Sequence, residues 1–221
     1  MCQGFLIFIA LCSISAHYCF GNGRMNSAEV ADLEKIMRKA GFEQGYVYYG
    51  NDSVASEILV YRRKHAAYSY RFCIVKLPGD SIVVHTAGSI EGYQIGNKKF
   101  IKHISHGESF FIEERAKGRV GLYARDGIPS DNRFLYYLKF PDERGYLIIS
   151  PHDKNISVSD SGDSRGAPSM IFRSAEIDKR FKAFVSHYMG DCQALVNMVN
   201  AGFYSINDVP SVVEVYNACF E

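Results

Sequence analysis

The chain has 221 residues, of which 47% are hydrophobic and 22% are charged, so it is long and apolar enough to bury a full core in one domain. The formal net charge is +1 at pH 7, and the basic runs at 62–64 and 98–99 are short. A nucleic-acid surface needs clustered cations, so the composition predicts a protein without a nucleic-acid partner.

Residues 1–21 read as a signal peptide. The segment is uncharged and contains the apolar run Phe5–Leu11, which is too short to span a bilayer as a helix but fits the hydrophobic region of a secretory signal. Cleavage after Ala16 or near Gly21 fits the sequence equally. The prediction is an exported protein of the periplasm or outer cell envelope, with no transmembrane segment in the mature chain.

The range 22–151 predicts one helix followed by an antiparallel body. Apolar residues recur at helical spacing from Asn26, an N-cap, until Gly41. Afterwards the sequence breaks into short runs rich in Val, Ile and Tyr, separated by turn residues, which is typical of strands. The stretch 107–151 reads as a meander at the centre of the sheet. About nine or ten strands are expected in all, forming a barrel-like or sandwich body.

The range 152–169 predicts a flexible loop because it is rich in Ser, Asp and Gly and poor in large apolar side chains. The range 170–221 then predicts a helical C-terminal unit packed on the sheet. Its helices are separated by Gly190 and Gly202, and Asp191 and Asp208 are candidate N-caps. The fold class is therefore α+β, mainly an antiparallel sheet with an N-terminal helix and a helical end.

Two cysteines of the helical unit are predicted to form a disulfide bond. Cys192 lies at the start of one predicted helix and Cys219 at the end of another, and an exported chain matures where disulfides persist. The bridge should contribute roughly 3 kcal/mol in the chain-entropy model. The alternative is two unpaired thiols. Cys73, in a strand-like run, reads as a small buried hydrophobic residue.

Several segments carry a family resemblance: SIEGYQI and KGRVGLY among the strands, and FKAFVSHYMGDCQALVNMVNAGFY and VVEVYNACF at the end of the chain. The sequence resembles exported proteins of unknown function that are widespread in Bacteroidota, in which "I.GY" and "G...LY" strand segments precede a "DC" helix and a closing "YN.C" helix. The likeness covers roughly Tyr46 to Phe220. It implies an envelope or secreted location and supports the bridge, and it carries over no catalytic or binding residue.

The sequence motifs predict no catalytic, cofactor-binding or metal-binding residues. No Gly-x-Ser-x-Gly elbow is present, and His103 and His106 lack the adjacent glutamate of a zinc helix. The loop acids Asp153, Asp160 and Asp163 do not form a calcium loop with a closing glutamate.

Two functions remain open from the sequence. The first is a non-enzymatic binding or assembly module of the cell envelope, with an unknown envelope protein, peptide or glycan as its partner. Its candidate groove residues are Tyr46, Tyr48, Tyr49, Tyr136 and Tyr137, which can equally fill the core. The alternative is a periplasmic hydrolase, which needs a histidine and a carboxylate to converge in a pocket. Its candidate histidines are His85, His103, His106 and His152.

Overall fold

The computed structural model describes residues 18–20, 27–61, 63–79, 81–105, 107–126, 134–159 and 174–221. The chain divides into two compact units, residues 1–113 and 114–221. Each unit has its own hydrophobic core.

The described residues of the first unit form one α-helix, one 3₁₀ helix and an antiparallel sheet with one added parallel strand. Its elements are β1 (Tyr18–Phe20), α1 (Ser27–Met37), β2 (Phe42–Tyr49), β3 (Asp52–Leu59), a 3₁₀ helix (Arg63–Tyr70), β4 (Phe72–Lys76), β5 (Ile82–Thr86), β6 (Gly92–Ile95) and β7 (Lys98–Ser105). The strand order is β1-β5-β4-β3-β2-β6-β7. Strand β1 pairs with β5 in parallel, whereas the neighbouring pairs from β5 to β7 are antiparallel.

Strand β4 is buried on both of its faces. Phe72 and Ile74 belong to the cluster formed with Leu33 of α1. Cys73 and Val75 point the other way, as period-two alternation requires, and belong to a second cluster. The amphipathic stripe that predicts α1 from the sequence is thus the face that α1 packs on the sheet.

The second unit is a short antiparallel sheet covered by helices. Strand β8 (Glu108–Ala116) crosses the boundary between the units, and the elements that follow are β9 (Gly121–Asp126), β10 (Phe134–Lys139), β11 (Tyr146–Ser150), β12 (Asn155–Ser159), α2 (Ser174–Tyr188), α3 (Gln193–Asn200), a 3₁₀ helix (Ile206–Asp208) and α4 (Val209–Ala218). The order of the strands is their order in the chain.

A row of leucines forms the centre of the second core. Leu138 pairs with Leu122 on one side and with Leu147 on the other, so the three side chains share one face of the sheet. All three are buried in a cluster that also contains side chains of α2, α3 and α4. Because helices bury this face, the apolar strands do not have to curl back on themselves.

The coarse prediction of an α+β chain with a predominantly antiparallel sheet, an N-terminal helix and C-terminal helices is confirmed. The barrel-like alternative is wrong, because the strand order within each unit is linear and, among the described residues, the first strand of a unit does not pair with its last. The described residues contain twelve strands, more than the nine or ten expected.

The two additional strands lie where no strand was predicted. Strand β1 falls inside the range 1–21 assigned to the signal peptide, of which residues 1–17 and 21 lie outside the described residues. Strand β12 falls inside the range 152–169, so the prediction of a loop is wrong for 155–159. The reason is that β12 pairs with β11 along five positions and Ile156 packs against the second core.

Candidate binding pocket

The described part of the second unit contains a pocket of about 730 Å³ between the sheet and α4. Cavities of this size, lined by apolar and aromatic groups with a few charged ones, are typical of small-molecule sites. The lining residues come from the end of β8, from β9 and β10, and from α4 and the residues after it. They are Arg115, Ala116, Lys117, Leu122, Ala124, Phe134, Tyr136, Pro210, Glu214, Asn217, Ala218 and Glu221.

The floor of the pocket is formed by β9 and β10. Tyr136 is paired across the strands with Ala124, whose methyl group fills little of the space beside the ring. Phe134 lies two residues from Tyr136, on the same face, and the two rings are stacked with their centroids 6.2 Å apart. A small side chain beside two large rings therefore creates the hollow.

The wall is one stripe of α4. Pro210, Glu214, Asn217 and Ala218 recur at intervals of three and four residues, which places them on one side of the helix. The opposite side of α4 carries Val212 and Val213, among others, into the core. Pro210 occupies the first turn of α4, where its missing N–H leaves no intrahelical bond unmade.

Asn217 fixes the position of the wall. Its amide nitrogen donates to the carbonyl oxygen of Val120 at 3.0 Å, and its amide oxygen accepts from the backbone N–H of Val120 at 2.8 Å. The side chain thus bonds to Val120 as a neighbouring strand would. A Cβ atom on Gly118 would lie 2.5 Å from Cγ of Asn217, so this approach requires glycine at position 118.

The predicted disulfide bond is present and holds the end of α4. Cys192 and Cys219 are bonded, with their Cα atoms 6.1 Å apart. Cys192 is at the N-cap position of α3 and Cys219 at the C-cap position of α4. The bridge therefore joins the beginning of one helix to the end of the other, as the sequence predicted.

Neither aspartate makes a side-chain bond to the helix that it was predicted to cap, although Asp208 occupies the N-cap position of α4. Asp191 does not cap α3; its carboxylate forms an ion pair with Arg119 and accepts a hydrogen bond of 2.9 Å from the hydroxyl of Tyr216. Asp208 makes no side-chain bond to α4 and instead completes a capping box with Ser205 at the 3₁₀ helix. The carboxylate of Asp191 is therefore bonded to residues that are distant in the chain, whereas the carboxylate of Asp208 is bonded to the nearby Ser205.

The positively charged side chains of the pocket lie on the side of the sheet, and the negatively charged ones lie on the side of α4. The guanidinium carbon of Arg115 lies 5.6 Å from the ring centroid of Phe134. Burial raises the pKa of Tyr136, and the positive charge of Arg115 partly opposes that rise. Lys117 is bound by Glu114 at 3.2 Å. The α4 side carries the carboxylates of Glu214 and Glu221.

Of the candidate groove tyrosines, only Tyr136 lines this pocket. Tyr136 lines the pocket, whereas Tyr137 is 3% exposed and lies on the opposite face of β10, in edge-to-face contact with Tyr146. Tyr46 and Tyr49 of β2 are exposed large side chains of the first unit, and Tyr48 donates a hydrogen bond to Gln94. Only one of the five therefore lines this pocket.

The first two candidate histidines, His85 and His103, do not line this pocket. Nε2 of His85 lies 3.1 Å from the hydroxyl of Tyr49, and burial lowers the pKa of His85. His103 and Glu113 are both buried, but the ring of His103 packs on Phe110. Positions 110 and 113 of one strand point to opposite faces, so the imidazole and the carboxylate do not converge.

His152 contacts an acid in an exposed turn. Nδ1 of His152 lies 3.1 Å from Asp153, and the same carboxylate accepts a hydrogen bond from Ser150 at 2.7 Å. In a serine hydrolase the histidine lies between the serine and the acid, whereas here the acid lies in the middle. His106, the fourth candidate, is outside the described residues.

Cys73 is fully buried, and burial raises the pKa of its thiol, so it packs as a small hydrophobic residue. The described residues contain no group of three or more His, Cys, Asp or Glu side chains arranged to hold a metal ion. Asp160 and Asp163 lie outside them. None of the helices in the described ranges has the length and apolar character that a bilayer-spanning helix needs.

The sequence contained a partial signal for the pocket. Alternation along β10 places Tyr136 and Tyr137 on opposite faces, so the sequence alone excludes a groove lined by both. The part played by Ala124 and Asn217 depends on which strand and helix they meet, and no local pattern marks it.

No family model, curated protein or solved structure matches this chain.

Proposed function

We propose that this protein is an exported, non-enzymatic binding module of the cell envelope and that the pocket beside α4 holds its ligand. The observation that carries the proposal is the pocket itself: about 730 Å³, with two aromatic rings on its floor and charged groups at its rim. This combination provides apolar contact area and a few orienting polar groups, which is what a small-ligand site requires.

The rigidity of the wall supports the same function. The last turn of α4 is held by the Cys192–Cys219 bridge and by the paired bonds between Asn217 and Val120. A preformed wall avoids the entropic cost of ordering a site when the ligand binds. More of the interaction energy between the ligand and the pocket then contributes to the affinity.

Export is supported by two independent features. The apolar run Phe5–Leu11 has the length of a secretory signal, and a bridged pair of cysteines persists in oxidising compartments. The periplasm or the outer cell envelope is the location proposed, with a small ligand, a peptide or glycan end, or an envelope protein as the partner.

A fragment screen detected on the ligand by NMR tests the pocket. The library should contain amino acids, short peptides, monosaccharides and uncharged aromatic compounds. Ala218→Trp places a large ring in the pocket from the exposed face of α4, and Ala194→Trp places the same ring on the exposed face of α3. Fragments that bind the unchanged protein should lose their signal with Ala218→Trp and keep it with Ala194→Trp. Hits that survive Ala218→Trp, or a screen without hits, would contradict the proposal.

A further inference from the structure

The described part of the second unit contains another cavity, of about 610 Å³, which shares no lining residue with the pocket beside α4. We name it the α2 cavity. Its lining comes mainly from the turn after β10, the last turn of α2 and the residues that precede α3. The members that decide its chemistry are Phe140, Asp142, His187, Tyr188 and Asp191. Because the two cavities are separate, this one can act independently of the proposed function.

Two aromatic rings line the α2 cavity. The ring centroids of Phe140 and Tyr188 are 5.2 Å apart, and the ring of Tyr188 also contacts that of Phe184 at 5.2 Å. Phe140 is buried and Tyr188 is partly exposed. The face of an aromatic ring carries partial negative charge, so it attracts an organic cation and also packs on the apolar chain that carries the charge.

The turn that carries Asp142 is fixed from within. The ammonium group of Lys139, which does not line the cavity, donates to three backbone carbonyls of this turn, at positions 143–145. Asp142 is exposed, and its carboxylate forms no ion pair and no hydrogen bond with the residues that the structure describes. A carboxylate on a preorganised turn can bind a ligand at little entropic cost.

The other permanent charges that line the α2 cavity balance each other. Arg119 forms an ion pair with Asp191, whose carboxylate also accepts the hydrogen bond from Tyr216. The guanidinium carbon of Arg119 lies 3.9 Å from the ring centroid of Phe220. Apart from the titratable imidazole of His187, Asp142 is therefore the one charged group of the described lining without a partner of opposite sign.

The end of α2 adds further acceptors to the cavity. The last carbonyls of a helix carry partial negative charge, which stabilises cations near the C-terminus. α2 ends at Tyr188, and His187 and Tyr188 both line the cavity. The imidazole of His187, in its neutral form, offers one acceptor nitrogen. Most groups of the lining that are not already paired therefore favour a positively charged ligand.

We propose that the α2 cavity binds an organic ammonium ion, with the ammonium group at Asp142 and its apolar chain against Phe140 and Tyr188. The side chain of a lysine in a partner and a free alkylamine share this chemistry. An anion would be repelled by Asp142 and by the end of α2, and a neutral ligand would leave the carboxylate without an ionic partner. The volume lies within the range of ligand pockets.

Chemical-shift titration by NMR tests the proposal, at pH 8, where alkylamines are protonated, and at low ionic strength, because salt screens exposed charges. The probes are butylammonium, Nα-acetyl-lysine methylamide and the Nε-acetylated form of the same derivative, which lacks the charge. Both charged probes should shift the backbone amide signals of Asp142 and Gly190, which line the cavity. Acetylation should weaken binding roughly five- to tenfold. Tighter binding of the lysine derivative than of butylammonium would identify a lysine side chain as the source, and otherwise the source is a free amine.

Asp142→Asn should weaken the binding of both charged probes roughly three- to fivefold and change that of the acetylated probe by less than about twofold. Asp178→Asn is the matched control, because Asp178 is exposed on α2, has the same charge and does not line the cavity. It should leave all three affinities unchanged. Equal affinities for the charged and acetylated lysine derivatives, equal effects of the two variants, or no binding of either charged probe would overturn the proposal.

Ala218→Trp separates this site from the pocket beside α4. It should leave the affinities of both charged probes unchanged, because Ala218 does not line the α2 cavity. The amino acids and free peptides of the fragment screen carry a carboxylate, which Asp142 disfavours, so the two experiments report on different cavities. Loss of the charged probes with Ala218→Trp but not with Asp142→Asn would overturn the assignment of the α2 cavity and leave the proposed function in place.

Discussion

The bonds between Asn217 and Val120 give the sharpest test of how the pocket is built. Replacing Asn217 with Leu keeps the branched shape and the number of heavy atoms of the side chain and removes both the donor and the acceptor. The backbone N–H and carbonyl of Val120, which is 0% exposed, then lose the partners they have at 2.8 and 3.0 Å. A buried polar group without a partner costs about 1–3 kcal/mol, so the two together should cost about 2–6 kcal/mol.

Urea unfolding followed by circular dichroism measures this loss. We expect Asn217→Leu to lower the free energy of unfolding by that amount with an unchanged dependence on urea concentration, and to lower Tm by on the order of 10 °C. Asn200→Leu is the control, because Asn200 is exposed at the end of α3 and its side chain makes no hydrogen bond in the described residues. A difference of less than about 0.5 kcal/mol between the two variants would refute the reasoning.

Three further predictions concern stability. Replacing Cys192 and Cys219 together with serine should lower the free energy of unfolding by about 3–4 kcal/mol, measured by the same urea titration under non-reducing conditions, and an unchanged midpoint would contradict the role of the bridge. Gly118→Ala should cost about 1–3 kcal/mol because its Cβ would meet Asn217 at 2.5 Å, whereas Gly41→Ala, with nothing within 4 Å, should cost far less; equal effects would show that the close approach does not matter. Because burial lowers the pKa of His85 in the folded protein, the unfolded chain takes up the proton on His85 at a higher pH than the folded chain does. The contribution of the neutral imidazole to stability is therefore complete above the ordinary pKa of 6.5 and is lost as the pH falls below it. His85→Gln should therefore flatten the fall in unfolding free energy between about pH 7.5 and about pH 5, and parallel curves for the two proteins would argue against it.

The sequence predicted the elements better than their arrangement. The 3.6-residue period of α1 and the short runs rich in Val, Ile and Tyr from β2 to β11 are local signals, and the structure confirms the helix and the strands that they predict. Strand β12 was missed because its five residues stand among serines and aspartates, and only its pairing with β11 makes them a strand. The prediction that Asp191 caps a helix likewise depended only on its neighbours in the sequence. In the structure its carboxylate forms an ion pair with Arg119, which is distant in the chain.

The motifs that carried the family resemblance have structural roles in this chain. The glycine of "G...LY" is Gly118, which lets Asn217 of "YN.C" reach Val120. The aspartate of "DC" accepts from the tyrosine of "YN.C", and the cysteines of the two motifs are bonded to each other. Their spacing in sequence does not reveal these contacts, because each pairs residues that are far apart in the chain.

The mature N-terminus gives a separate test of export. Cleavage after Ala16 would keep β1 on the edge of β5, whereas cleavage near Gly21 would remove it. Intact mass measurement of protein recovered from the cell envelope should give a chain that begins at residue 17 or near residue 22. A full-length chain in the cytoplasmic fraction would contradict export.

The central claim, that the pocket beside α4 is a binding site, is tested most directly by the methyl resonances of its alanines. Ala124 and Ala218 line the pocket and Ala194 lies outside it. On addition of any hit from the fragment screen, the methyl signals of Ala124 and Ala218 should shift while that of Ala194 stays in place. Binding that leaves the two pocket methyls unshifted would contradict the account.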